Sequence, residues 1–166
     1  MARHGVINDL IHRALIKAGF PAVKEPQGLL RSDGKRPDGI TLIPWKAGRS
    51  LIWDATIVDT LAPSYLPASA TRAGAAAGIA EDRKIQKYSA LLDTHIFVPV
   101  AIETLGPIND KGLEFIADLG RHLTQATGEP RESSFFFQRL SITIQRFNAV
   151  AFSGSFVKPA IDTDEG

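Results

Sequence analysis

Ser50-Leu51-Ile52-Trp53-Asp54-Ala55-Thr56-Ile57-Val58-Asp59 is the stretch on which the fold of this chain turns. β-Branched and aromatic residues crowd it, and it reads as a buried strand. Asp54 stands in its middle. An unpaired carboxylate in such a run costs several kcal/mol, so Asp54 calls for a metal, a cationic side chain or a backbone donor.

Working outward, residues 39–45 (Gly-Ile-Thr-Leu-Ile-Pro-Trp) read as a partner strand. Lys46-Ala47-Gly48 is predicted to form a three-residue hairpin loop, with Gly48 in the left-handed position of a bulge. Pro44 has no N–H to give a ladder and puts the distal end of the hairpin at a sheet edge. With that loop Trp45 faces Arg49, Asp38 lies across from Thr56, and Asp54 across from Ile40. Side chains alternate along a strand, so Asp38, Asp54 and Thr56 fall on one face. The two acids become diagonal neighbours with backbones roughly 7–8 Å apart. Carboxylates so placed can converge on one hard cation, whose oxygen ligands sit at about 2.0–2.1 Å for magnesium. A loop of two or four residues would send them to opposite faces.

Beyond the hairpin, residues 6–18 follow helical spacing. Val6, Ile7, Leu10, Ile11, Ala14, Leu15 and Ala18 form one face, with Asn8, Asp9, Arg13 and Lys17 on the other. Gly19 and Pro21 stop that helix. A short strand over 22–25 and a loop over 26–35, with a turn at Ser32-Asp33-Gly34, follow. After Pro63 and Pro67 a long helix is predicted over 69–92, its Ala/Gly-rich start suited to close packing on a sheet. A strand over 95–104 and helices over 110–126 and 133–152 complete the order α-β-β-β-α-β-α-α, a mixed α/β domain. The last helix is apolar nearly all round: a core helix covered on two sides, or a contact for a second copy or a neighbouring domain. Lys84, Lys87 and Tyr88 share one flank of the long helix, where a lysine can reach a scissile phosphate or simply remain solvated.

The whole chain has 166 residues, 44% hydrophobic and 22% charged, as expected of one globular domain over 1–157. Residues 158–166, with Asp162, Asp164 and Glu165, read as an acidic flexible tail. No run approaches the ~18 apolar residues of a membrane span, and no secretory signal pattern opens the chain; an intracellular site is expected. The absence of cysteine excludes disulfides, thiolate catalysis and Cys-ligated zinc. A net charge of +1 does not by itself predict nucleic-acid binding, although residues 31–49 and 72–87 carry modest basic excesses. The four histidines (His4, His12, His95, His122) show no ligand spacing and read as surface or structural. Glu25 and Glu103 are secondary candidates for the site.

Arg36-Pro37-Asp38, Trp53-Asp54-Ala55-Thr56, and Lys84 with Lys87-Tyr88, set in this order of elements, resemble the PD-(D/E)xK nuclease superfamily. More narrowly they resemble the restriction-like endonuclease region of non-LTR retrotransposons, over about residues 24–149. The resemblance implies an αβββαβ core with a small mixed sheet flanked by helices, plus two C-terminal helices, and magnesium-dependent hydrolysis of DNA phosphodiesters. It implies that Asp38, Asp54 and the Ala55 carbonyl hold the metal and that Lys84, or else Lys87, is the catalytic lysine. Arg36, Arg49, Lys87 and Tyr88 would contact the nucleic acid. Thr56 stands where the family often has lysine, a departure met by relatives whose lysine lies on the following helix. Those relatives also carry a reverse transcriptase and a zinc knuckle, so a free-standing relative or a fragment is expected here, nuclear if it belongs to a eukaryotic element. The alternative is an inactive nucleic-acid-binding or dimerising module that keeps the nuclease fold.

Overall fold

The computed structural model describes residues 3–29, 36–60, 62, 67 and 72–155, with the backbone alone at residue 3 and over 147–155. The elements are α1 (Arg3–Lys17), β1 (Ala22–Lys24), β2 (Gly39–Thr41), β3 (Leu51–Val58), α2 (Ala75–Lys87), a single 3-10 turn (Ser89–Leu91), β4 (Ile96–Glu103), α3 (Asp110–Thr127) and α4 (Glu132–Ser155). The strands form one mixed sheet in the order β1-β2-β3-β4. The first two pairings are antiparallel and β3–β4 is parallel. This is the α/β class and the order of elements that the sequence predicts.

All eight residues of β3 are buried, because helices cover both sides of the sheet. The two faces differ. Leu51, Trp53, Ala55 and Ile57, with Val98, Val100 and Ile102 of β4, enter the main core with α1, α3 and α4. The opposite face meets α2 and is divided into three zones. Ile52 and Phe97 pack with Tyr88 and Leu91 at one end, and Val58 and Ala101 pack with Ala76, Ala77 and Ala80 at the other. Between them lies a polar middle containing Asp54 and Thr56.

The hairpin departs from expectation in its loop. Ala47 and Gly48 both have positive φ (51° and 70°), and Lys46 bridges Arg49. This is a two-residue turn of the I′ kind, whose twist suits a hairpin. Alone it would separate the two acids. However, β2 ends at Thr41, and the four residues 42–45 stand opposite the single residue Ser50. Those three extra residues return Asp38 and Asp54 to one face. The register (Gly39↔Trp53, Ile40↔Ile52) extends to put Asp38 directly across from Asp54, in place of the expected pairings with Thr56 and Ile40. Two forces make the excursion. Thr41 Oγ1 accepts the Leu51 N–H at 2.9 Å and donates to the Ile43 carbonyl at 2.8 Å, replacing the ladder. Trp45 turns into the main core against Phe20 and Phe115.

The helices differ from expectation at four points. Residues 72–74 form a bend and turn, with Gly74 left-handed at φ 83°, so α2 starts at Ala75; residues 69–71 lie outside the described part. At the other end the chain leaves the helix at Tyr88. Over 132–146, α4 buries one face through Phe136 and Leu140 and exposes Phe135 and Ile142, so it is not covered on two sides there. The side chains of Phe147, Val150 and Phe152 lie outside the described residues, as do the 32–34 turn and the tail. Asn8 belongs to the buried side of α1, not to its polar face.

The segment from Pro107 to Asn109 covers the open edge of β4, with an antiparallel bridge between Ile102 and Ile108 and the Glu103 N–H donating to the Pro107 carbonyl at 2.8 Å. Asn109 Oδ1 accepts the Ala101 N–H at 2.8 Å, and its Nδ2 donates to the Pro99 carbonyl at 2.7 Å and to Glu81 at 2.8 Å. Pro99 has no N–H to present on that edge.

Candidate functional site

β2 and β3 bring Asp38 and Asp54 together, and α2 lays Lys84 over them. Asp54 is fully buried, Asp38 is 6% exposed and Lys84 is 7% exposed. Lys84 Nζ pairs with Asp54 Oδ2 at 2.8 Å. Among the described residues no backbone donor meets either oxygen of Asp54, and Thr56 Oγ1 has no hydrogen-bond partner. Burial pushes the Asp54 carboxyl up to about 7; the Asp38 charge adds to this and Lys84 opposes it. Two carboxylates and one ammonium thus share a desolvated pocket in which Asp54 is about half protonated at neutral pH, and a further cation would draw that proton off.

Asp38 is anchored by one oxygen. Its Oδ2 accepts the Ala55 backbone N–H at 2.6 Å, beyond the end of β2. The same oxygen lies 2.9 Å from His4 Nε2 of α1. Behind His4, Asn8 Nδ2 is 3.2 Å from the same ring nitrogen, and the Trp53 indole N–H donates to Asn8 Oδ1 at 3.3 Å. Trp53 can lie there because Gly39 is opposite: a Cβ at Gly39 would fall 2.0 Å from the indole ring.

The chain matches no protein-family model and no curated protein sequence.

The remaining candidates divide between this site and elsewhere. Tyr88 is fully buried in the apolar zone beside Ile52, and its hydroxyl donates to the Arg36 carbonyl at 2.9 Å. Burial and the two nearby acids push its phenol pKa up. Its phenol is therefore spent inside the fold, tying α2 to the segment that leads into Asp38. Lys87 is exposed with its ammonium 5.2 Å from the Tyr88 ring, and Arg36 is exposed, so both reach solvent beside the acid pair. Arg49 sits on the hairpin turn, five residues before Asp54, which at about 3.3 Å per residue is roughly 16 Å away along the strand. Glu103 accepts the Ala77 N–H at 3.2 Å and serves the N-terminal turn of α2. Glu25 is exposed; its backbone N–H donates to the Asp38 carbonyl at 2.8 Å.

His4 is the residue that sequence reading missed. Its only available signal was the i, i+4 spacing of His4 and Asn8, two polar side chains on the buried side of an amphipathic helix.

Proposed function

We propose that this chain is a metal-dependent nuclease domain that hydrolyses phosphodiester bonds in DNA. The observation that carries the reading is the buried meeting of Asp38 and Asp54 from adjoining strands, with the Lys84 ammonium 2.8 Å from Asp54. The donor set fits magnesium. Its ligands are hard carboxylate oxygens, among the described residues no backbone donor occupies either oxygen of Asp54, and burial leaves the acid reluctant to ionise. Among the described residues no three His, Asp or Glu side chains are grouped to hold a metal. A site built on Asp38, Asp54 and the Ala55 carbonyl therefore relies on water for its other positions, as magnesium commonly does. When bound, magnesium supplies a nucleophilic water at neutral pH and offsets charge on the phosphoryl oxygens. Lys84 holds a fixed positive charge beside Asp54, in a dry setting where it acts strongly on a developing anion. Lys87 and Arg36 supply exposed cations for the phosphate backbone, which favours contacts of low sequence preference.

The test is magnesium-dependent nicking of plasmid DNA. Wild-type protein is expected to nick with magnesium and to stop in chelator, and Asp54→Ala to be inactive while folded. Nicking that survives chelation overturns the metal mechanism.

One observation favours a second reading. The near-complete burial of Asp38, Asp54 and Lys84 also suits a closed ion cluster in a module that binds nucleic acid without cutting it. Retarded migration of DNA without nicking, at any magnesium concentration, selects that reading.

A further inference from the structure

We propose that His4 is a positioning residue for Asp38, so that the first turn of α1 belongs to the functional site. This rests on the nuclease reading only for its consequence, metal binding; the positioning itself is a property of the metal-free protein.

Asp38 Oδ2 is approached by two groups, the Ala55 N–H at 2.6 Å and His4 Nε2 at 2.9 Å. An ionised carboxylate can only accept, so the proton of this second contact lies on Nε2 and the imidazole donates. A ring nitrogen that donates to Asp38 cannot also accept from Asn8; the Asn8 amide, fixed by the Trp53 indole, instead flanks the ring and limits its rotation. A carboxylate oxygen has two lone-pair positions, and both on Oδ2 are used. Oδ1 is thus the atom of Asp38 left to act as a ligand. The Ala55 N–H alone is a single hinge about which the carboxylate can swing. His4, coming from a different element, supplies the second point that fixes its plane. The sheet provides the acids, and α1 sets which oxygen is offered.

The experiment uses the full chain and two variants, His4→Ala and His4→Gln; glutamine keeps an N–H donor on a side chain of similar reach. Two quantities are measured. The first, without metal, is the NMR proton shift and hydrogen-exchange protection of the Ala55 amide. His4→Ala is expected to lower protection at least fivefold and move the resonance upfield, and His4→Gln to restore most of both. The second is calorimetric binding of Mn²⁺ as the probe, where His4→Ala is expected to weaken affinity about tenfold and His4→Gln less than threefold. An Ala55 amide unchanged in His4→Ala overturns the positioning role. Equal losses in both variants overturn it too, since the donor would then not be what matters. If wild-type protein binds no Mn²⁺ the nuclease reading fails, while the metal-free amide measurement still decides the role of His4.

Discussion

The ammonium of Lys84 stands 2.8 Å from Asp54 Oδ2, although Lys87, one turn further along the same helix, is exposed. Helix α2 therefore separates two lysines that look equivalent in sequence into one inside the site and one at its rim. Lys84→Met is expected to abolish nicking at least 100-fold and to lower stability by about 2 kcal/mol. That is short of the 3–5 kcal/mol typical of a broken buried pair, because Asp54 is already about half protonated near neutral pH and completes its protonation when the ammonium is removed. Lys87→Met is expected to change stability by less than about 1 kcal/mol and to weaken DNA binding with a salt slope reduced by about one. Urea unfolding and binding titrations across salt concentrations check both; a Lys84 variant of full activity removes that residue from the site.

The proton on Asp54 sets a pH dependence of defined sign. Its folded pKa, raised to about 7 from 3.8, means that the native state holds the proton more tightly than the unfolded chain. Stability from this group is fully present below about pH 4 and is lost as pH rises to about 7. In metal-free buffer the urea midpoint is expected to show this fall, with a size on the order of a few kcal/mol, and Asp54→Asn to flatten it. An Asn variant with the same slope as wild type refutes the assignment.

Thr56 offers a separation of stability from activity. Its hydroxyl is buried without a hydrogen-bond partner among the described residues, so Thr56→Val, nearly isosteric, is expected to leave stability unchanged or raise it by up to about 1 kcal/mol. If the hydroxyl serves the site, nicking falls in the same variant. A Val variant that loses more than about 1 kcal/mol shows instead that the hydroxyl is satisfied within the fold.

Gly39→Ala tests the support behind the acids. The added Cβ would meet the Trp53 ring at 2.0 Å, forcing the indole to shift. A loss of about 1–3 kcal/mol is expected from overpacking, with a change in Trp53 fluorescence as the indole leaves Asn8. Unchanged fluorescence and stability would mean that β2 yields instead.

Much of this was legible because it depends on period. The alternation in β3, the amphipathic spacing of α1 and α3, and the shared face of Asp38 and Asp54 follow from which residues are apolar and how far apart they stand. The register did not follow, because it was set by local backbone events that composition does not announce. Ala47 adopts a left-handed conformation that glycine usually supplies, and the Thr41 side chain stands in for a ladder bond. The expected three-residue loop was wrong, yet the expected face was right, since three residues were added elsewhere. Asn8, placed on the polar face, and Tyr88, in the nucleic-acid contact that the resemblance implies, differ from expectation for a related reason. Each has its polar atoms engaged within the fold, and a hydroxyl or amide so satisfied is buried as readily as an apolar side chain.

The excursion over residues 42–45 carries a consequence for evolution. It works as a phase corrector between a tight turn and a pair of acids. Gaining or losing one residue there would rotate one strand by half a period and tear the pair apart, whereas a change of two would keep it. Descendants that retain the chemistry should therefore vary this segment in even steps, and an odd step should mark lineages in which the acids have already fallen out of use.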